Sequence, residues 1–448
     1  MATAALDPVT EMQAPFLPDH VIAQKEAIPS IYGAIDFTRM PERFSTDLSD
    51  KVEMPERFLD LRAELLSDRE KFETIRAYTM TGDRVADAYA ALMPQYGFRA
   101  LVDMLELACE KGIEAVENAP PELAAFIAAM EANPAWLDME MVEEGARQER
   151  NGHVHLTPFV LRGAFIATFM NKYSALPMAL TGTLSNGTAA RRAYETGSFF
   201  TSTLMPGALG RFGAGFKAAA KVRLMHSMVR ANIARSGKWD ASVYGVPIPQ
   251  VDQMPAGLIG TYLMAREVLD SGREEFTPQE RARVELARYR CFLLGLPEDL
   301  LGETPREIER LWLLRQATLR AEFEPETCGA LLRATMAADM SQGDGLSGKI
   351  RDWMESGFSK LFFINHFMAG NRQLAASVGV TMNASDKLAG ICALLFVQGQ
   401  IKFYKILDAI PGVRGWAGRR LVKKLARMLE AYGHADFITD ASQYRPAV

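Results

Sequence analysis

From about Pro55 almost to the end of the chain, apolar residues recur three and four positions apart and nowhere alternate. That period belongs to helices; a half-buried strand needs a period of two. Phe58, Leu61, Leu65 and Leu66 open the pattern, and residues 85–93, 100–110 and 122–130 continue it. Proline and glycine fall between these blocks, where helices are expected to stop. The nearest thing to a strand, GVPIPQ at 245–250, is short and broken by proline. An all-α chain of roughly fifteen ordinary helices is the expectation. Residues 1–50 show little period and carry Pro8, Pro15, Pro18, Pro29 and Pro41. They read as an irregular arm laid on a single large helical domain spanning 51–448.

Charge narrows the function classes. Across 448 residues, 50 Lys and Arg meet 55 Asp and Glu, a net charge of −5. A protein built to coat nucleic acid needs a basic surplus, so no nucleic-acid partner is expected. Cys109, Cys291, Cys328 and Cys392 lie far apart with no CxxC pair. Reduced thiols in the cytoplasm are the simplest reading. The opening residues, MATAALDPVTEMQAPFLPDH, lack a basic start followed by an apolar run, which points the same way. No run reaches the ~18 apolar residues of a spanning helix. The longest, residues 388–397, has the length of a buried helix.

One segment carries chemistry. Projected on a helix, residues 216–240 place Val222, Met225, Val229 and Ile233 to one side of His226. Arg223 and Arg230 lie close together on the other side, while Lys217, Lys221 and Arg235 point toward solvent. A buried guanidinium needs an anion. The partner is either a cofactor carboxylate or an Asp or Glu of a neighbouring helix. A histidine on such a face is either a metal ligand or a satisfied core residue. A second helix, beginning near residue 189, gathers Arg192, Thr196, Phe199, Phe200 and Thr203 on one face, with Arg191 opposite. Glu195 lies about 100° from Thr196, so it skirts or enters the same pocket.

The pattern Arg223-x-x-His226-x-x-x-Arg230, preceded 30 residues earlier by Arg192-x-x-x-Thr196, resembles the catalytic domain shared by rubber oxygenases (latex-clearing proteins) and MpaB-type oxygenases. Looser likenesses are PAWLDMEMVEEG at 134–145, LPMALTGTL at 176–184 and GVPIPQ. Together they cover about residues 75–330. The resemblance implies a globin-like helical core with additional helices. It also implies non-covalent haem b bound through His226, with Arg223 and Arg230 available to the propionates. Arg192, Glu195 and Thr196 would then line the oxygen side. A haem oxygenase acting with O2 on an olefinic, isoprenoid-like or other hydrophobic small molecule follows from it. Three departures stand against rubber as the substrate. Glu195 stands where rubber oxygenases carry a lysine. Residues 150–194 contain no Asp or Glu to act as the upstream base. The start of the chain does not read as an export signal, whereas rubber oxygenases are secreted. A haem sensor or carrier, or a helical lipid-binding protein, stays open as an alternative.

The other histidines are secondary candidates. His153 and His155 diverge on a helix, and His366, set among aromatics, reads as core and as the rival to His226. His20 and His434 lie near the ends. Near the C-terminus, Arg419, Arg420, Lys423, Lys424 and Arg427 oppose an arc of Leu421, Val422, Leu425, Met428, Leu429 and Tyr432. Residues 416–432 could therefore touch a membrane peripherally, or close the core and leave the basic arc solvated. Residues 159–180 are almost wholly apolar and could line a substrate tunnel or pack as a central helix.

Overall fold

The computed structural model describes residues 17–181, 189–341 and 345–433; His434 and residues 182–184 of the LPMALTGTL phrase lie outside them. The described residues are helical throughout, apart from loops and two isolated antiparallel bridges, Phe44 with Leu319 and Val52 with Arg320. The all-α expectation holds.

The helices that position the site are numbered in chain order: α1 Arg84–Ala90, α2 Met139–Ala167, α3 Ala189–Ser202, α4 Ala214–Arg235, α5 Gln250–Asp270, α6 Pro278–Leu293, α7 Gly345–Phe367, α8 Ala384–Ala409 and α9 Arg414–Tyr432. Their ends follow local chemistry. Asp138 caps α2 by accepting from the backbone N–H of Glu140 and Met141, at 2.9 and 3.1 Å. Thr277 and Glu280 close a reciprocal capping box on α6, and Asn383 with Asp386 closes another on α8.

Proline does not stop every helix. Pro158 and Pro255 sit inside α2 and α5, and Pro177 lies inside a further helix, Lys172–Leu180. At Pro255 the reason is visible. Its missing N–H frees the carbonyl of Val251 four residues earlier, and Arg315 Nε donates to that oxygen at 2.8 Å.

One large core runs through α1 to α6, with α4 near its middle. The apolar segment 159–180 packs there through Leu161, Phe165, Ile166 and Phe169. Pro8 and Pro15 lie outside the described residues, but from residue 17 on the arm is less irregular than its prolines suggest. Three single helical turns, at Asp19–Ile22, Gln24–Ala27 and Pro29–Tyr32, form a second core around Val21, Ile31, Tyr32 and Phe37 against Ala231 of α4.

The C-terminal helices divide in two. α9 turns Leu421, Leu425, Met428 and Tyr432 inward against α2, α3 and α8, leaving Arg419, Arg420, Lys423 and Arg427 exposed. Its apolar arc is therefore spent on the protein and does not face a membrane. α8 overturns another expectation: the run 388–397 is not a buried helix. Only Ala389, Gly390, Ala393, Val397 and Tyr404 of α8 are buried, while Leu388, Ile391, Leu394, Leu395 and Phe396 are exposed. Length and apolarity alone do not say which side of a helix meets protein.

Candidate active site

The site is built outward from α4. His226 is half-buried, and its Nδ1 lies 3.2 Å from Gln253 Oε1 on α5. The orientation of that amide is fixed by its neighbour, because Gln253 Nε2 donates to Gln250 Oε1 at 2.8 Å. Gln250 Nε2 in turn donates to the carbonyl of Gly82 at 3.1 Å. An oxygen thus faces Nδ1, so Nδ1 carries the proton and donates. Nε2 is left as a bare lone pair, with no hydrogen-bond partner among the described residues. Burial pushes the ring pKa down to about 4, so it is neutral near pH 7.

Arg223 and Arg230 have carboxylate partners on the chain, the neighbouring-helix alternative that the sequence left open. Arg223 reaches Asp83 through Nε at 2.5 Å and Nη2 at 2.9 Å, while its guanidinium lies 5.1 Å from the Phe126 ring centroid. Asp83 is also the N-cap of α1, accepting from Ala86 N–H at 3.2 Å. Arg230 is fully buried and pairs with Asp87, which also accepts from the Tyr32 hydroxyl. Its remaining N–H groups reach the carbonyls of Pro247 at 2.8 Å and Ile248 at 2.6 Å. Burial pushes the Asp87 carboxyl upward against the pull of Arg230, and it pushes the Tyr32 phenol well above its ordinary value.

These contacts explain two local features. GVPIPQ is an irregular segment, with Ile248 at φ 50°, a left-handed conformation costly for a β-branched residue. The bend aims two successive carbonyls at one guanidinium. Gly82 and Gly295 admit the ion pairs. A Cβ at Gly82 would lie 2.1 Å from the Tyr32 hydroxyl, and one at Gly295 would lie 2.4 Å from Asp83 Oδ2.

On α3, Arg192 Nη1 donates to Glu195 Oε2 at 2.8 Å and approaches the Met225 sulfur at 4.0 Å, beside His226. The structure thus brings Arg192 against the helix of His226. Thr196 is half-buried, and its hydroxyl donates to the Arg192 carbonyl at 3.1 Å. Glu195 is buried, with Arg191 Nε 3.4 Å from its Oε1. Arg191 is exposed, as expected, yet folds back to share that carboxylate. Of the three cations expected in solvent, only Arg235 is exposed. Lys217 and Lys221 are half-buried on Glu110 and Glu106, at 2.6 and 2.5 Å.

The other histidines separate from the site. His366 is exposed on the last turn of α7, its ring 4.5 Å from that of Phe362, so it is not core. His20 is exposed. His153 and His155 diverge on α2: His153 Nε2 meets Thr201 Oγ1 at 2.8 Å, and His155 Nε2 accepts from Lys424 at 2.9 Å. Among the described residues, no three of His, Cys, Asp and Glu converge as a metal-binding group.

Sequence reasoning missed Tyr32, Asp83, Asp87, Gln250 and Gln253. A faint signal existed for the aspartates, whose four-residue spacing puts them on one helix face. The glutamines stand three apart on an otherwise apolar face of α5, also a readable oddity.

The family model described as "ER-bound oxygenase mpaB/B'/Rubber oxygenase, catalytic domain" matches residues 152–379, which include α3, α4 and α5. The solved structure of a latex clearing protein in the closed state is similar at a TM-score of 0.53, with 17% identity, over 78% of this chain and 91% of that one. Identity at that level speaks for the fold alone. No curated protein matches the sequence. Asp83 and Asp87 lie before the matched segment, and α8 and α9 lie after it.

Proposed function

Because the chain belongs to the ER-bound oxygenase mpaB/B'/rubber oxygenase catalytic-domain family, we propose that it is a haem b-dependent oxygenase with His226 as the protein ligand to iron. The observation that carries this reading is the unpartnered Nε2 of a neutral ring whose tautomer is set by Gln253 and Gln250. Metal-binding imidazoles present such a lone pair, with the other ring N–H held by an outer partner. A single histidine also suits a group that brings its own four nitrogen donors. The donor set therefore fits haem. When bound, haem supplies the iron that activates dioxygen.

The chain's own residues do the remaining work. Gln253 holds the imidazole in one tautomer and one orientation. Asp83 and Asp87 hold Arg223 and Arg230, so these arginines fix α4 against α1 and are not free cations awaiting propionates. Arg192, Glu195 and Thr196 form the polar wall of α3 next to Met225. Arg192 sets its guanidinium between the Glu195 carboxylate and the Met225 sulfur, which carries positive charge to the edge of the His226 helix. The Thr196 proton is committed to a backbone carbonyl, which leaves its oxygen as an acceptor. The substrate class is an olefinic, isoprenoid-like or other hydrophobic small molecule, and the compartment is the cytoplasm. With Glu195 paired to two arginines where rubber oxygenases carry a lysine, polyisoprene is a poor candidate. That same pairing keeps a non-catalytic haem sensor as the second reading.

The test is the absorption spectrum of the purified chain before and after reduction, beside that of His226→Ala. The expected outcome is a Soret band in the parent and its loss or displacement in the variant. A folded variant with full haem and an unchanged band overturns the assignment. Oxygen consumption with a panel of isoprenoids separates the oxygenase from the sensor.

A further inference from the structure

Exposed aliphatic and aromatic side chains concentrate on α8. Leu395 is 68% exposed, Ile406 62% and Leu388 56%, with Ile391, Phe396 and Phe403 each about half exposed on the same outward arc. Scattered exposed apolar residues are ordinary, whereas a continuous row along one helix marks a contact surface. α8 is also the one helix among the described residues with the length and apolarity of a membrane span.

Its inner face excludes spanning in this fold. Ala389, Gly390, Ala393, Val397 and Tyr404 are buried against α2 and α7. The approach to α7 is tight: a Cβ on Gly357 would lie 2.4 Å from that of Ala389. A span surrounded by lipid needs an apolar surface on all sides, and α8 has only one side to offer.

Charge identifies what covers that side. Residues 387–407 contain Lys387, Lys402 and Lys405 and no Asp or Glu. The flanking acids are engaged elsewhere. Asp386 holds Lys360 at 2.9 Å, and Asp408 lies 3.2 Å from Arg147 and 3.4 Å from Arg414. Trp416 and Arg414, both exposed, follow at the helix end. A second copy of the chain using this face would bring lysines toward lysines with no carboxylate to answer them. Anionic lipid headgroups answer them directly, and the long lysine side chains can lie along the apolar row with their ammonium groups in the phosphate layer.

We propose that the outward face of α8 docks the protein on an anionic membrane surface, lying in the plane of the headgroups with Leu388, Leu395 and Ile406 inserted. This moves the membrane contact from α9, whose apolar arc is buried, to the neighbouring helix. The surface is independent of the haem reading and lies outside the segment matched by the family.

The experiment is flotation of the full chain with vesicles of phosphatidylcholine containing phosphatidylglycerol, beside pure phosphatidylcholine. The chain is expected to float with the anionic vesicles and much less with the neutral ones. Leu395→Glu with Ile406→Glu should lower partitioning to both by about tenfold or more. Lys402→Gln with Lys405→Gln should lower only the anionic binding, by about thirtyfold at low salt. All four positions are exposed, so the melting temperature should stay at the parent value, which separates lost docking from lost fold. Absence of flotation with anionic vesicles overturns the proposal. So does a dimer, seen by light scattering, that Leu395→Glu dissociates while parent and variant float alike.

Discussion

The neighbourhood of α4 and the outer face of α8 invert each other. Around α4, charged groups are buried in matched pairs, Arg223 with Asp83 and Arg230 with Asp87. Arg230, Asp87 and Tyr32 lie with almost no solvent contact, and Arg223 and Asp83 are nearly as deep. On α8, large apolar side chains stand in solvent: Leu388, Leu395 and Ile406 are each more than half exposed. Burial of charge is costly unless every group is matched, so the inner region tolerates little change. Exposure of apolar surface costs nothing in contacts within the fold, so the outer region tolerates much. Hydropathy finds the apolar core but neither of these two regions: matched ion pairs mark the inner one, and exposed apolar side chains mark the outer one.

The sharpest way to break the comparison is to remove one member of the inner network. Asp87→Ala leaves Arg230 buried and unpaired, and the expected loss is ~3–5 kcal/mol of unfolding free energy. Urea denaturation measures it. A loss under ~1 kcal/mol would mean that the network is hydrated and the contrast false. Gln253→Leu should cost less, ~1–3 kcal/mol, since it removes a neutral partner from a half-buried ring. Its larger effect is on His226, which loses the acceptor that fixes its tautomer. Metal or haem affinity should fall about 10–100-fold by titration of the apo chain. The smallest effect concerns acid. Burial pushes His153 down to about 3 and His155 to about 4, with Arg290 and Lys424 as the second causes. Both are neutral in the fold, while in the unfolded chain they titrate near 6.5. Below that value the unfolded state binds more protons, so stability should fall as pH drops from 6.5 toward 4. The loss is at most ~1.4 kcal/mol per unit of separation for each ring. Denaturant midpoints at pH 7 and pH 5 check the sign, and His155→Asn should flatten the dependence.

Helix positions were largely readable in the sequence, and so was the special face of α4. A helix expected within residues 216–240 is observed as Ala214–Arg235, with both arginines buried. Their partners were not readable, because Asp83 and Asp87 lie 140 and 143 residues away. The same limit hid Gln253, whose role depends on which helix faces α4. Two misreadings have one cause. The run 388–397 and His366 both look like core by composition, yet both stand at the outer layer of the α7–α8 pair. Residue type records what a side chain tolerates, whereas burial depends on what the chain places over it. Pro255 is a third case, since its acceptance inside α5 depends on Arg315.

The tie from Tyr32 through Asp87 to Arg230 also has a meaning in time. Asp87 and Arg230 are separated by 143 residues. During synthesis the acidic half of each pair leaves the ribosome long before its arginine exists. Until α4 follows, Asp83 and Asp87 lack their cations, and the arm bearing Tyr32 can close only on Ala77, Met80 and Gly82. Contacts of such sequence separation form late and slowly. The contact of Tyr32 and Asp87 with Arg230 is therefore expected among the last to form, which leaves the arm only half fastened until α4 arrives.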